Sequence, residues 1–103
     1  MKARIEMPSD RIAAFCKRWQ ILELALFGSV LRDDFGPESD VDVLARFDPR
    51  ARHTLLDIVE IQDELSSMLG HKADLVERAA VEQSQNYIRR EAILRSAETI
   101  YAA

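Results

Sequence analysis

Two aspartates one residue apart, preceded by a Gly-Ser pair and an arginine, form a pattern that could bind a metal ion and a phosphate group together. Asp40 and Asp42 would point to the same face of a strand, because side chains alternate along a strand. Carboxylate oxygens suit Mg²⁺, which usually takes one or two of them and completes its coordination with water and substrate phosphate. An isolated Asp-x-Asp is more often a solvated strand edge or a turn with incidental acids. Its position behind Gly28-Ser29 and Arg32 favours a metal–nucleotide site.

The elements around the Gly-Ser pair are those that a phosphate-binding turn requires. Leu22 to Phe27 is an almost wholly apolar run, which predicts a strand buried on both faces that ends at a tight turn. A helix is predicted to begin at about Val30. Glycine permits close approach of the backbone to a ligand, Ser29 could cap the helix, and the first N–H groups of a helix can hold an anion. Arg32, one turn further on, could donate to a phosphate.

Two later strands are predicted to carry the carboxylates. Apolar residues at positions 41, 43, 45 and 47 alternate with residues 40, 42, 44 and 46, which is the period of a strand. Further along, Asp74 lies between Ala73 and Leu75, so on a strand it would face away from both. Asp74 could therefore join Asp40 and Asp42, although a lone acid at this position could equally lie on the surface.

Gly28-Ser29, Arg32 and Ser39-Asp40-x-Asp42 together resemble the signature of the DNA polymerase β-type nucleotidyltransferase superfamily. They are most similar to its small bacterial and archaeal branch, the minimal nucleotidyltransferases. The resemblance runs from about Leu22 to Val76 and more loosely to Tyr101. It implies an α/β (α+β) fold in which a small mixed β-sheet is flanked by helices, as in the palm of polymerase β.

The resemblance also implies a role for each residue of the motif. Catalytic and metal-binding roles fall on Asp40, Asp42 and Asp74, and nucleotide binding falls on Gly28, Ser29, Arg32 and Ser39. One or two Mg²⁺ ions and ATP as substrate are expected. Asp74 would complete the second metal site or accept a proton from the attacking hydroxyl. Small members often have Arg-Gly where this chain has Arg32-Asp33, and the extra carboxylate could weaken nucleotide binding or point into solvent.

The activity implied by this resemblance is nucleotide transfer within a toxin–antitoxin pair. Small members are commonly encoded beside a HEPN-type toxin and add AMP to a tyrosine of that toxin, so the chain is expected to be such an antitoxin. Transfer to a small molecule such as an aminoglycoside is an alternative, in which a homo-oligomer would have to form the acceptor pocket. A non-catalytic antitoxin that neutralises its toxin by binding is the other.

Length and charge are consistent with these expectations. A chain of 103 residues with 48% hydrophobic content predicts a single minimal nucleotidyltransferase domain over residues 1–103. The net charge of −4 disfavours a nucleic acid as the main substrate. The absence of a long apolar stretch predicts no membrane association, and a cytoplasmic location is expected.

Helical patterns account for most of the remaining chain. A first helix is predicted to open at Pro8-Ser9-Asp10, and a central helix is predicted from a capping box at Thr54 and Asp57 to a stop at Gly70. Apolar residues at helical spacing predict a final helix over roughly Ser84 to Tyr101. Part of its apolar face is expected to cover the sheet, and any excess would contact a second protein or a second copy.

Other reactive or charged side chains are assigned structural roles. Cys16 is predicted to be a small core residue, and His53 and His71 are predicted to be caps or surface groups rather than metal ligands. The basic residues Arg89-Arg90 and Arg95 are predicted to form a solvated helix face. An anion site or a docking surface for an acidic partner is the alternative reading of that cluster.

Overall fold

The computed structural model describes residues 9–28, 36 and 38–103 of the chain. Within this part the sequence forms four helices and four strands. In chain order they are α1 (Ser9–Arg18), β1 (Ile21–Phe27), β2 (Val41–Phe47), α2 (Leu55–Leu69), β3 (Ala73–Glu77), α3 (Arg78–Glu82), α4 (Tyr87–Ser96) and β4 (Glu98–Ala102).

The four described strands form one mixed sheet in the order β3-β2-β1-β4. β1 runs antiparallel to both of its neighbours, β2 and β4, whereas β2 and β3 run parallel. β1 is therefore an inner strand, and Leu24 to Phe27 are all buried, as the apolar run predicts. The mixed sheet with flanking helices confirms the predicted fold class.

The sheet separates two hydrophobic clusters, one on each face. The first cluster lies between the sheet and helices α1 and α2, and its members include Ile12, Cys16, Leu24, Val41, Val43, Ile61 and Leu65. The second lies between the sheet and helices α3 and α4, and combines Ala25, Phe27, Leu44 and Val81 with the partly buried Val76, Ile93, Leu94 and Ala97. Since Val41 and Val43 contact the first cluster, the intervening Asp42 shares the opposite face with Leu44.

Both predicted boundaries of the central helix are confirmed. The Thr54 hydroxyl accepts a hydrogen bond from the Asp57 amide at 3.2 Å, and the Asp57 carboxylate accepts one from the Thr54 amide at 2.9 Å. Gly70 adopts the left-handed conformation, with φ of 72°, and ends the helix. Within the described ranges, no helix combines the length and the apolar character needed to cross a bilayer.

The prediction of one final helix over Ser84 to Tyr101 is wrong at its C-terminal end. Helix α4 stops at Ser96, because Ala97 is extended with φ of −63° and ψ of 135°. The following strand β4 pairs with β1, so it provides backbone partners for a strand that would otherwise have an open edge. Its residues Thr99, Ile100 and Tyr101 are β-branched or aromatic, which suits a strand better than a helix.

The apolar residues predicted to form one helix face over Ser84 to Tyr101 are therefore divided between α4 and β4. Ile93 and Leu94 on α4 contact the second cluster, whereas Tyr101 on β4 contacts the first cluster, across the sheet. Tyr87 and Ile88, in the first turn of α4, are exposed. The short helix α3, which the sequence pattern did not predict, supplies Val81 to the second cluster.

Cys16 should resist thiol reagents as long as the protein stays folded. Its side chain is completely buried, and this burial raises the pKa of the thiol from its ordinary 9.0 to about 12. At pH 8 such a shift lowers the reactive thiolate fraction about a thousandfold. Labelling with a chromogenic disulfide at pH 8 should therefore be slower in buffer than in urea by at least this factor. Rapid labelling without denaturant would contradict the buried position.

Candidate functional site

The turn after β1 brings the backbone of Gly28 against the side chain of Asp42. Gly28 has φ of 77°, a left-handed conformation that favours glycine. A Cβ built on Gly28 would overlap Oδ2 of Asp42 and lie 3.3 Å from its Cγ. This contact arises because Phe27 and Asp42 are register partners in the β1–β2 pair. Both the backbone conformation and the position of the Asp42 carboxylate therefore favour glycine here.

Asp42 also lies beside Asp74 on the neighbouring strand. The two residues are register partners in the parallel pair β2–β3, and neighbouring strands are separated by about 4.8 Å. Side chains of register partners point to the same face, so both carboxylates lie on the face that carries the second hydrophobic cluster. Asp42 is half-buried and Asp74 is exposed. The predicted meeting of these two acids on one face is present in the fold.

Asp40 lies one residue before β2 and borders the same region. Asp40 and Asp74 both line an open, largely polar pocket of about 350 Å³ beside β3. The other residues that line it are Gln62, Asp63, Ser66, Lys72 and Ala73. Asp40 is exposed, so solvent and a ligand can reach it. Asp42 and Asp74 thus lie side by side on β2 and β3, and Asp40 precedes β2 at the same end of these two strands.

The donor chemistry of this end of the sheet fits Mg²⁺ that shares its coordination with a ligand. Within the described part of the chain, no three His, Cys, Asp or Glu side chains are already arranged to hold a metal ion. Mg²⁺ does not require such a set, because it commonly binds through one or two carboxylates plus water and phosphate oxygens. Asp42, Asp74 and the neighbouring Asp40 supply carboxylates of this kind.

Part of the predicted phosphate-binding turn lies outside the described residues. Ser29, Arg32, Asp33 and the helix predicted from Val30 belong to that part, so their predicted roles remain predictions.

Ser39 is described, and its hydroxyl has a local partner. It accepts a hydrogen bond from the Gly36 amide at 3.0 Å, and the Ser39 amide donates to the Gly36 carbonyl at 3.0 Å. These two bonds shape the end of the loop that leads into β2. The nucleotide contact predicted for Ser39 remains a prediction.

The two histidines have structural surroundings. His53 is half-buried, with its ring edge-on to Trp19 and Phe47 at centroid distances of 5.8 and 5.0 Å. Its Nε2 lies 2.7 Å from the Trp19 carbonyl oxygen, so His53 connects α1 to the start of α2. This contact with a carbonyl at the C-terminal end of α1 agrees with the prediction that His53 is a capping group rather than a metal ligand. His71 Nδ1 lies 3.2 Å from the Ser39 carbonyl, next to the loop before β2.

A second, more apolar pocket lies on the same face as Asp42 and Asp74. It has a volume of about 200 Å³, and Val76, two residues after Asp74, contributes to its wall. Arg89 and Arg90 also line it, and Arg90 Nη1 donates to the Ser84 carbonyl at 3.1 Å. Arg90 is therefore half-buried and oriented by the backbone rather than part of a fully solvated helix face.

Sequence reasoning missed the residues on α2 that border the acidic site. Gln62 and Ser66 flank the apolar stripe of α2, where polar residues ordinarily face solvent. Their spacing of four residues is a signal that they share one helix face. Nothing in the local pattern indicates which element that face contacts.

A protein-family model described as a nucleotidyltransferase domain matches residues 10–96. The chain belongs to the nucleotidyltransferase domain family. The matched range includes the turn at Gly28 and all three aspartates at the end of the sheet. The family predicted from the Gly-Ser and Asp-x-Asp pattern is therefore confirmed.

Comparison with individual proteins gives the same family. The protein adenylyltransferase MntA of Thermococcus cleftensis is 32% identical to this nucleotidyltransferase domain over 65 residues, which are 63% of this chain and 64% of MntA. The chain thus spans somewhat less than two thirds of the length of this curated relative. A solved structure provisionally assigned as a minimal nucleotidyltransferase matches with a TM-score of 0.66 at 29% identity, over 87% of this chain and 86% of that one.

A more distant match is to a toxin–antitoxin complex. The structure of the tri-AMPylated HEPN toxin of Shewanella oneidensis in complex with an MNT antitoxin matches this nucleotidyltransferase domain with a TM-score of 0.60 at 15% identity. The match covers 92% of this chain and 70% of that one. At this identity the likeness demonstrates a common fold and nothing more.

Proposed function

We propose that this chain is a Mg²⁺-dependent protein adenylyltransferase that transfers AMP from ATP to a tyrosine hydroxyl of a HEPN-type toxin, and so acts as its antitoxin. The observation that carries the proposal is the placement of Asp42 between the Gly28 turn and Asp74. Such a site has a backbone turn for phosphate on one side and a second carboxylate on the other. The adenylyltransferase name of the relative MntA supports the reaction, and the AMPylated HEPN toxin in the similar complex supports the acceptor.

In this proposal each residue of the site has a stated role. Asp40 and Asp42 would hold Mg²⁺, and Gly28, Ser29, Arg32 and Ser39 would hold the phosphates. When bound, Mg²⁺ neutralises the charge that develops as pyrophosphate leaves. The tyrosine oxygen forms a bond to the α-phosphorus of ATP, and the bond from that phosphorus to pyrophosphate breaks. The tyrosine proton passes to Asp74 or, where Asp74 instead binds the metal, to solvent.

Positioning and electrostatic stabilisation provide most of the rate enhancement in such a reaction. A small sheet with three carboxylates at one end is therefore a sufficient scaffold. Because ATP is the nucleotide donor, the proposal places the protein in the cytoplasm.

The test is to incubate the protein with Mg²⁺, ATP carrying a labelled α-phosphate and the HEPN-type protein encoded by the neighbouring gene. Label should appear on a tyrosine of that protein, and mass spectrometry should show the added AMP. The Asp40→Asn/Asp42→Asn double variant should transfer no label. An unlabelled but tightly bound partner would replace the proposal with a non-catalytic antitoxin. Label on an added aminoglycoside alone would replace it with a small-molecule nucleotidyltransferase.

A further inference from the structure

The strand that carries Asp74 is at the edge of the sheet, and side chains of α2 cover its outer side. The Ala73 amide donates to Ser66 Oγ at 2.8 Å, and the Leu75 amide donates to Gln62 Oε1 at 2.9 Å. These are the two amides on either side of Asp74. Both would otherwise face outward, since β3 has β2 as its strand neighbour on the other side.

The Ser66 hydroxyl is also bonded to the backbone of α2. While accepting from the Ala73 amide, it donates to the main-chain carbonyl oxygen of Gln62 at 2.7 Å. Gln62 and Ser66 are four residues apart, so they lie on one face of the helix about 6 Å from each other along its axis. The neighbouring Ile61 and Leu65 are fully buried and anchor this part of α2 on the sheet. The packed helix α2 therefore provides acceptors for the Ala73 and Leu75 amides, which point away from β2.

Strand position matters here because the side-chain period of a strand is two residues. A slip of β3 by one residue against β2 would move Asp74 to the opposite face of the sheet and away from Asp42. Among the described strands, β3 pairs only with β2, so few backbone hydrogen bonds fix its register. The two hydrogen bonds from its amides to side chains of α2 oppose a slip of β3. The same side chains, Gln62 and Ser66, line the polar pocket together with Asp40 and Asp74.

We infer that Gln62 and Ser66 are positioning residues that hold Asp74 beside Asp42 in the geometry needed for the metal ion. This inference rests on the proposed function, since it assigns the metal-binding role to those aspartates. Neither α2 residue has to touch the metal or the nucleotide. Their effect on metal binding is transmitted through the backbone of β3.

Variants of α2 test this inference. The measured quantity is the affinity of the protein for Mn²⁺ without nucleotide, obtained from the electron paramagnetic resonance signal of free Mn²⁺. Supporting groups behind metal ligands typically contribute about tenfold or more to metal affinity. Ser66→Ala and the double variant Gln62→Met/Ser66→Ala should therefore bind Mn²⁺ about tenfold more weakly, at a temperature where each is fully folded. Amide exchange at Ala73 and Leu75 should also be faster.

The chain offers matched controls for this experiment. Ser67→Ala removes the same hydroxyl from the next residue, which is exposed, and should bind Mn²⁺ as the unaltered protein does. Ser66→Thr keeps the hydroxyl and should bind Mn²⁺ with the affinity of the unaltered protein, unlike Ser66→Ala. If the Gln62 and Ser66 variants have a lower melting temperature but bind Mn²⁺ with unchanged affinity, the inference is wrong. The two side chains would then only satisfy the amides of the edge strand. Failure of the unaltered protein to bind Mn²⁺, both alone and with a non-hydrolysable ATP analogue, would overturn the proposed metal site itself, and the inference with it.

Discussion

Replacing Asp42 by asparagine should lower AMP transfer about a thousandfold, equivalent to ~4 kcal/mol of lost transition-state stabilisation. Asparagine keeps the shape of aspartate, so the contact with Gly28 can remain while the charge proposed to hold Mg²⁺ is lost. Added Mg²⁺ and ATP should raise the melting temperature of the unaltered protein but not that of Asp42→Asn. Transfer rates and melting curves measure the two effects separately.

Asp10→Asn is the matched control for that change, because Asp10 is exposed in the first turn of α1 and is outside the site. It should transfer AMP at the rate of the unaltered protein. Asp74→Asn distinguishes the two roles proposed for that residue. Loss of both Mn²⁺ affinity and rate would make Asp74 a metal ligand, whereas loss of rate alone would make it the proton acceptor. An Asp42→Asn protein with full transfer activity would overturn the assignment of the site.

The elements that position the aspartates were predictable because their signals are local. A short apolar run that ends at glycine, and apolar residues at every second position from Val41 to Phe47, each identify a strand without reference to the rest of the chain. The same holds for the capping box at Thr54, whose partner is three residues away. Strand β4 escaped prediction because its Ile100 and Tyr101 also continue a helical apolar pattern. Its decisive interaction, with β1, involves residues more than 70 positions earlier in the chain.

The sequence names candidate site residues but does not give their arrangement. Alternation alone places Asp40 and Asp42 on one face of a strand. The contact of Asp42 with Gly28, and its register with Asp74, depend on how three strands align with one another. The hydrogen bonds from β3 to Gln62 and Ser66 also depend on tertiary packing, since both residues look like an ordinary polar flank in the sequence. Such contacts become visible only when the strands and helices are assembled.

Replacing Gly28 by alanine should impair both stability and AMP transfer more than the same change at Gly70. The two glycines have nearly equal φ angles, 77° and 72°, so alanine meets a similar backbone penalty of about 1 kcal/mol at each. At Gly70 the new Cβ meets no atom within 4 Å, whereas at Gly28 it overlaps Asp42. Crowding of this kind typically costs a further ~2 kcal/mol. Urea unfolding should therefore give a loss of ~3 kcal/mol for Gly28→Ala and ~1 kcal/mol for Gly70→Ala.

A double-mutant cycle determines whether the contact with Asp42 causes the difference. In an Asp42→Ala background the carboxylate is gone, so Gly28→Ala should cost no more stability than Gly70→Ala does in the unaltered protein. With Asp42 present, the crowded carboxylate must move away from its place beside Asp74, and transfer should fall about a hundredfold or more. An equal stability cost of Gly28→Ala in both backgrounds would mean that backbone conformation alone requires this glycine. If Gly28→Ala costs less stability in the Asp42→Ala background, glycine is needed at position 28 so that the Asp42 carboxylate can occupy its position at the end of the sheet.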